Sequence, residues 1–262
     1  MRTRSYFKWI SGLVAAFAMT TSGCSETNPQ LKKDADIHYE LGVDALHQNN
    51  PSTAFRELFK ALGMSPNDPK IHNTIGLVYM GKEMFEKAEA SFKKAIEIKP
   101  AYSDAWNNLG ALYLSLGRWD SAIKACENAA TDVLYPYPWL PENNIGWAWF
   151  KKGDFKQAMY HLERAVRDNP RFCRGWEHLG QVYLALGKPE KAEPAFRKSI
   201  ERCPGFQFPE AHFHLAVCLE KLGRKKDAAA ELEKCALEGN ETKLGTRCRM
   251  MLKTRQEIES SQ

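Results

Sequence analysis

The sequence predicts an all-α fold, a solenoid of six stacked helix-turn-helix units followed by a capping helix. The first observation is a recurring small residue, called the pivot below, at spacings of 34, 34, 36, 34 and 36 residues. The pivots are Gly42, Gly76, Gly110, Gly146, Gly180 and Ala216. The second is that every pivot is followed by an alanine 12 residues later and by a larger apolar residue or cysteine 16 residues later. A fixed period in this range is typical of units that bury their apolar faces only by stacking on neighbours.

The spacing around the pivot has a simple physical reason. A pivot with no side chain, or with a methyl group only, lets the second helix of a hairpin approach the first closely. The larger residue at offset +16 then fills the layer between the helices. Proline stands at offset +24 in four units, where it cannot continue a helix and turns the chain into the next unit.

The six units divide the chain in order. They are expected at about 35–68, 69–102, 103–136, 139–172, 173–206 and 209–239, within a repeat domain of 35–240. An amphipathic segment in 241–262 is expected to form the capping helix and tail. Two junctions, 135–142 and 204–210, are longer and rich in aromatic residues and proline. These aromatic side chains either pack between units or form a partner-binding edge.

The first 23 residues have the proportions of a signal peptide. Arg2, Arg4 and Lys8 precede a mostly apolar stretch at 9–19, which is short for a membrane span. We therefore expect residues 1–23 to target the chain for export.

The residues that follow resemble a bacterial lipobox. Ser22 and Gly23 precede Cys24, although Thr21 stands where the lipobox usually has leucine. The resemblance implies that Cys24 is lipidated and that 24–34 forms a polar tether, with Ser25 typical of outer-membrane sorting. A soluble periplasmic product and a retained N-terminal anchor stay open as alternatives.

Composition and motifs argue against several classes of function. The formal net charge is +5, and removing residues 1–23, with three basic and no acidic residues, leaves +5 − 3 = +2, so no nucleic-acid partner is expected. There is no glycine-rich phosphate loop and no nucleophile motif, and the histidines are scattered. Adjacent carboxylates such as Glu231 and Glu233 are expected in solvent. We expect no enzyme activity, catalytic residue, cofactor or metal site.

The pivot lies in a pattern that reads W-x-x-L-G-x-x-Y at Trp106 and Trp176, with close variants in the other units. This pattern and its period resemble the tetratricopeptide repeat. The resemblance implies a right-handed α-solenoid in which the first helices of the units line a concave groove.

A second resemblance is to the outer-membrane tetratricopeptide lipoproteins that act as pilotins in type IV pilus biogenesis. It rests on Cys24, on six units with a terminal helix, and on the sequence N-N-x-G at Asn107 and Asn143. It implies a lipid-anchored, periplasm-facing protein of the outer membrane whose protein partner is the pilus secretin. Two alternatives stay open: an envelope adaptor that recruits proteases or peptidoglycan enzymes, and a soluble periplasmic peptide-binding module.

The groove is expected from offsets −3, +1 and +4 in the central units. The residues are Asn73, Leu77, Met80, Asn107, Ala111, Leu114, Asn143, Trp147, Phe150, Glu177, Gln181 and Leu184. A row of three asparagines offers donors and acceptors to an extended peptide, and the apolar members suit an amphipathic helix or a strand. Alternatively, Leu114 and Leu184 belong to the core, or the partner binds the convex side or the loop aromatics.

Six cysteines follow Cys24, an even number that permits disulfides in an exported chain. Cys173 opens the fifth unit and Cys203 closes it, so the hairpin brings them side by side and they are the first predicted pair. Cys235 and Cys248 are the second predicted pair, because the capping helix packs on the last hairpin. Cys126 is expected to be a buried free thiol, and Cys218 is left unassigned.

Overall fold

The structure is a computed structural model that describes residues 29–202 and 209–260, and every regular element within these ranges is an α-helix. The helices are α1 (Pro29–His47), α2 (Pro51–Met64), α3 (Pro69–Gly81), α4 (Phe85–Ile98), α5 (Ser103–Ser115), α6 (Trp119–Ala130), α7 (Trp139–Lys152), α8 (Phe155–Asp168), α9 (Cys173–Ala185), α10 (Pro189–Arg202), α11 (Pro209–Lys221), α12 (Lys225–Glu238) and α13 (Lys243–Ser260). Consecutive helices from α1 to α12 form six hairpins, and α13 packs on α11 and α12. The predicted six helix pairs with a terminal helix are confirmed. None of the helices in these ranges has the length and apolar character needed to cross a membrane.

The first helix begins earlier than the sequence predicts. Residues 24–34 are expected to form a tether, but α1 starts at Pro29, so the second half of this prediction is wrong. Proline is well suited to the first turn of a helix, and the Gln30 side chain donates to Asp34 Oδ1 at 2.9 Å one turn later. The predicted signal peptide and Cys24 lie outside the described residues.

The turn inside each hairpin contains one residue in the left-handed region, always seven residues after the pivot. It is glycine in four units, at Gly117, Gly153, Gly187 and Gly223, with φ between 68° and 85°. Asn49 and Glu83 take the same conformation, with φ of 54° and 58°. Glycine adopts this conformation without strain and asparagine tolerates it, whereas glutamate adopts it at a cost.

The pivots pack as the spacing predicts. A Cβ placed on Gly42, Gly76, Gly146 or Gly180 would lie 2.5–2.7 Å from the side chain at offset +16. The alanines at offset +12 are all 0% exposed, so the two helices of each hairpin meet there without space for a larger side chain. Core layers also join one unit to the next, as when Leu58 of the first unit packs with Ile71 and Ile75 of the second.

The side chain at offset −4 stabilises each unit by one of two kinds of polar contact. In units two, three and five its ring nitrogen contacts a proline carbonyl oxygen of the preceding unit, as Trp106 Nε1 does to Pro100 O at 2.8 Å. In units one, four and six it pairs with a carboxylate or imidazole 19 residues later, as His212 Nδ1 does with Glu231 Oε2 at 2.6 Å. Glu231 is therefore buried, and the expectation that it is solvated is wrong.

The cysteines divide into bonded and free groups. Cys235 and Cys248 form a disulfide that joins α12 to α13, with Cα atoms 6.1 Å apart. Cys173 is also disulfide-bonded, while Cys203, its predicted partner, lies outside the described residues. Cys126 is buried and free as expected, and burial raises the pKa of its thiol to about 12. Cys218 is likewise buried and free.

The junction after α6 is held by polar contacts. Tyr135 is buried and its hydroxyl donates to Asp104 Oδ1 at 3.0 Å, while Ser103 Oγ donates to Asp132 Oδ2 at 2.6 Å. Tyr135, Tyr137 and Trp139 follow one another edge to face, with ring centroids 5.6–5.8 Å apart. Most of this aromatic cluster packs on the solenoid, and Tyr137 remains about half exposed.

Candidate partner-binding groove

The odd-numbered helices lie on the inner side of the solenoid. Neighbouring odd-numbered helices contact one another from α1 to α13, whereas no two even-numbered helices do so within the described ranges. The units are therefore closer together along the odd-numbered helices, which places these helices on the concave side. Their surface at offsets −3, +1 and +4, called the groove face below, is the candidate binding site.

Polar side chains cross every junction between units along this face. The residue at offset −3 of one unit contacts the residue at offset −2 of the next. The pairs are Tyr39 with Thr74 at 3.3 Å, Asn73 with Asn108 at 3.0 Å, Asn107 with Asn144 at 3.0 Å, Asn143 with His178 at 2.8 Å, and Glu177 with His214 at 3.0 Å. We call this row the polar ladder.

The ladder changes the role expected for the asparagines. Asn73, Asn107 and Asn143 are only 4–6% exposed, and the side-chain oxygen of each contacts the next unit. They do not present free acceptors to an extended peptide, so that part of the prediction is wrong. The physical reason is that a buried amide must be paired, and the neighbouring unit supplies the partner. The ladder fixes the position of one unit against the next.

The last two steps of the ladder contain titratable groups. His178 is buried, and burial lowers its pKa to about 4, so its imidazole is neutral at neutral pH. Its Nε2 lies 3.6 Å from Glu177 Oε2. Glu177 is also buried, but the contact from His214 and the nearby imidazoles outweigh its desolvation and lower its pKa. His214 Nδ1 lies at ion-pair distance from Glu177, although outside hydrogen-bond geometry.

The apolar floor of the groove face is partly shared with the core. Leu77 is the most open of the predicted apolar residues, at 39% exposed. Met80, Leu114, Phe150 and Leu184 are half-buried and pack against core clusters between units, as the alternative for Leu114 and Leu184 anticipated. Ala111 and Gln181 are also half-buried, and Gln181 Nε2 donates to Glu177 Oε1.

An aromatic stack forms the centre of the groove face. The rings of Phe150 and Trp147 are 4.8 Å apart and nearly parallel, and the Trp147 ring lies 4.0 Å from that of His178. The ammonium of Lys151 lies 4.5 Å from the Trp147 ring centre. The sequence predicted Trp147 and Phe150 but not His178 or Lys151. The histidine 35 residues after Asn143 is the sequence signal that could have placed His178 on this face.

The groove face has the features of a surface that binds another polypeptide. The described residues contain no group of three or more metal-binding side chains. The buried carboxylates and imidazoles of the ladder are paired with each other rather than directed into a cavity. A half-open apolar and aromatic floor between paired polar side chains is the kind of surface that receives apolar side chains of another polypeptide.

Comparison with known families agrees with this architecture. Four profiles described as tetratricopeptide repeat match residues 69–102, 91–124, 143–205 and 210–238, which together cover more than half of the chain. Among curated proteins, the mouse Superkiller complex protein 3 is 27% identical over 217 residues, 78% of this chain. The type IV pilus assembly protein PilF of Pseudomonas aeruginosa is 25% identical over 198 residues, 72% of this chain. The aligned parts span 13% of the first protein and 65% of the second.

Solved structures of the same architecture include two from type IV pilus systems. The structure of Pseudomonas aeruginosa PilF superposes with a TM-score of 0.73 and 17% identity, covering 85% of this chain and 99% of PilF. That of PilW, described as a widely conserved type IV pilus biogenesis factor, superposes with a TM-score of 0.73 and 21% identity, covering 81% and 97%. At these identities the superpositions show the fold alone. The repeat profiles and the six stacked hairpins establish that this chain belongs to the tetratricopeptide-repeat family.

Proposed function

We propose that this chain is a lipid-anchored periplasmic scaffold, a pilotin that promotes assembly of the outer-membrane secretin of type IV pili. The observation that carries the proposal is the sequence similarity to the type IV pilus assembly protein PilF, which extends over 72% of this chain. The lipobox-like sequence ending at Cys24 supports the anchor. Other relatives in the family, such as Superkiller complex protein 3, contain the repeat within much longer chains.

The groove face supports a binding role that needs no chemistry. Trp147, Phe150 and Leu77 offer apolar surface, while the polar ladder beneath them is internally paired and holds the units in position. Such a surface fits the apolar stripe of an amphipathic helix or the alternate side chains of a strand. A higher affinity for the unassembled secretin subunit than for the finished ring lets the scaffold hold the subunit at the membrane and release it once it has joined the ring.

The first test concerns the partner. The tagged protein is recovered from cell envelopes, the proteins bound to it are identified by mass spectrometry, and the heat-stable secretin multimer is compared between the parent and a deletion strain. We expect the secretin to be recovered and its multimer to disappear on deletion. Recovery of proteases or peptidoglycan enzymes with an intact multimer would instead support the envelope adaptor.

The second test concerns the groove face. The double variant Trp147→Ala, Phe150→Ala removes the two stacked rings, and loss of such central aromatic residues typically weakens binding by about 30-fold or more. Tyr160→Ala is the matched control, because Tyr160 is a 55% exposed aromatic residue on the even-numbered helix α8. A folded double variant that binds the secretin as well as the Tyr160 control would rule out this face.

The third test concerns the anchor. Cys24→Ala removes the thiol that would receive the lipid, so we expect the variant to be lost from the outer-membrane fraction. If Cys24→Ala still fractionates with the outer membrane, the lipid anchor is wrong. A wild-type protein found free in the periplasm would favour the soluble peptide-binding module.

A further inference from the structure

The first unit exposes apolar residues at positions that are buried in every other unit. In units two to six the residue one before the pivot is at most 3% exposed, because it packs on the preceding unit. These residues are Ile75, Leu109, Ile145, Leu179 and Leu215. The equivalent residue of the first unit, Leu41, is 48% exposed, and Ile37 one turn earlier is 58% exposed. The outer face of α1 is therefore a stacking surface that nothing in the described chain covers.

Acidic residues line this surface. Asp36, Glu40 and Asp44 follow one another at intervals of four, so they form one exposed row along α1 beside Ile37 and Leu41; the exposed Lys32 and Lys33 lie one turn before this row. None of the three has a basic partner among the described residues. Like charges at this spacing repel one another, so a cationic partner would stabilise this face.

The opposite end of the solenoid has the complementary composition. The stretch from Lys243 to Arg255 in α13 contains five basic residues and no acidic one. Lys243, Arg247 and Lys253 are exposed; Lys253 Nζ lies 3.9 Å from Glu257 Oε1, and the Arg247 guanidinium lies 4.7 Å from the Phe213 ring centre. Met250, 59% exposed, lies among them. The outer face of α13 is thus basic with an apolar centre, where that of α1 is acidic with an apolar centre.

We propose that a second copy of this chain covers the outer face of α1 with its own α13. Pairing of two α1 faces would set one acidic row against another, so the charges favour head-to-tail contact over a symmetric dimer. A head-to-tail contact that does not close on itself extends into a chain of copies. This inference does not rest on the proposed partner of the groove face, because it concerns the two ends of the solenoid; Arg247 borders the groove face, where it contacts Phe213.

The contact is expected to be weak in solution. It joins one helix face to another and is smaller than the ~1,600 Å² of a standard stable interface. Its charges are exposed, so added salt weakens it. We expect association of the purified full-length chain to begin at roughly 10–100 μM in ~50 mM salt, with no plateau at the mass of a dimer, and to fall several-fold at ~0.5 M salt.

Charge reversal gives the decisive experiment. One triple variant carries Asp36→Lys, Glu40→Lys and Asp44→Lys, and the other carries Lys243→Glu, Arg247→Glu and Lys253→Glu. Each alone has like charges at both ends, so sedimentation equilibrium is expected to show single chains. An equimolar mixture of the two restores opposite charges at every contact and is expected to recover the association. Circular dichroism checks that both variants remain folded.

Three results would overturn the proposal. One is a wild-type chain that stays single at all concentrations in low salt, as it would if residues 1–28 or a different protein covered α1. Another is a plateau at the dimer that survives reversal of α13. The third is failure of the mixture to associate when both variants are folded and the wild type does associate.

Discussion

At the scale of single residues, the groove face owes its rigidity to paired polar side chains. Asn107 is buried, and its Oδ1 accepts from Asn144 Nδ2 across the junction between the third and fourth units. Because a buried donor without a partner costs more than the hydrogen bond itself contributes, each step of the ladder favours one position of the next unit.

Removing one acceptor tests this argument. Asn107→Leu leaves Asn144 Nδ2 without its partner, so we expect a loss of about 1–3 kcal/mol in the free energy of unfolding. Urea-induced unfolding followed by circular dichroism measures the change. Asn128→Ala, at an exposed position on α6, is the control and is expected to change stability by less than about 0.5 kcal/mol. Equal stability of the two variants would contradict a structural role for the ladder.

The buried imidazole of His178 makes stability depend on pH. Its pKa is lowered by burial from 6.5 to about 4, so between these values the unfolded chain binds a proton that the folded chain does not. The free energy of unfolding therefore falls as the pH is lowered through this window, by about 3 kcal/mol in total. Carboxylates with lowered pKa values affect stability at lower pH. Hydrogen bonds from Arg56, His38 and Lys60 lower the pKa of Glu57 from 4.5 to about 2, so its contribution to the free energy of unfolding is lost as the pH falls from 4.5 toward 2.

Urea unfolding between pH 7 and pH 4 checks the effect of His178. His178→Gln is expected to remove most of the loss between pH 6.5 and 4.5, because glutamine does not titrate. His47→Gln, at an exposed position, should leave the profile unchanged. The same profile in wild type and His178→Gln would show that another group controls this window.

At the residue scale, the sequence predicts which face a side chain lies on but not which group it contacts. The periodicity placed Asn73, Asn107 and Asn143 on one face, and they do share it. Whether an amide on that face points to a ligand or to the next unit depends on what stands at offset −2 of that unit, and the pattern of apolar residues carries no information on this. The spacing of 35 or 37 residues between polar pairs is visible only once the units are aligned.

At the scale of elements, the close approach of the helices in each hairpin rests on the pivot. A Cβ at Gly110 would collide with Cys126 Sγ and would lie 3.3 Å from the Ala122 carbonyl oxygen. Gly110→Ala is therefore expected to destabilise the chain by about 1–3 kcal/mol, and Cys126→Ala in the same chain should recover part of this loss. Gly63→Ala is the control, since a Cβ there meets nothing within 4 Å and alanine favours the helix.

Thermal unfolding of the two single variants and the double variant separates these effects. Strictly additive losses for Gly110→Ala and Cys126→Ala would mean that the pivot does not act through this contact.

The helices and hairpins were predicted better than the contacts of individual side chains. The hairpins are indicated directly by the pivots, by the alanines at offset +12 and by the prolines at offset +24. The six helix pairs and the terminal helix therefore followed from the spacing. The start of α1 at Pro29 was missed because the first turns carry no pivot. The left-handed residue at offset +7 was missed because Asn49 and Glu83 stand where the other units have glycine.

At the scale of the whole molecule, the two ends of the solenoid differ. In a repeat protein each unit is stabilised by its own contacts and by those with its neighbours, so a terminal unit is weaker than a central one. The C-terminal unit is covered by α13, which the Cys235–Cys248 disulfide ties to α12. The N-terminal unit has no such cover among the described residues, and Ile37 and Leu41 are exposed there.

This asymmetry predicts the order in which the solenoid opens. Amide hydrogen exchange followed by mass spectrometry, at concentrations low enough to keep chains apart, should show α1 and α2 exchanging first, α11 and α12 later, and α7 and α8 last. The Cys235–Cys248 disulfide closes a loop of 13 residues and stabilises the fold by about 3 kcal/mol in the chain-entropy model. Its reduction should therefore bring the exchange rates in α12 and α13 close to those in α1. Slower exchange in α1 than in α12 of the oxidised chain would mean that residues outside the described ranges cover the N-terminal unit.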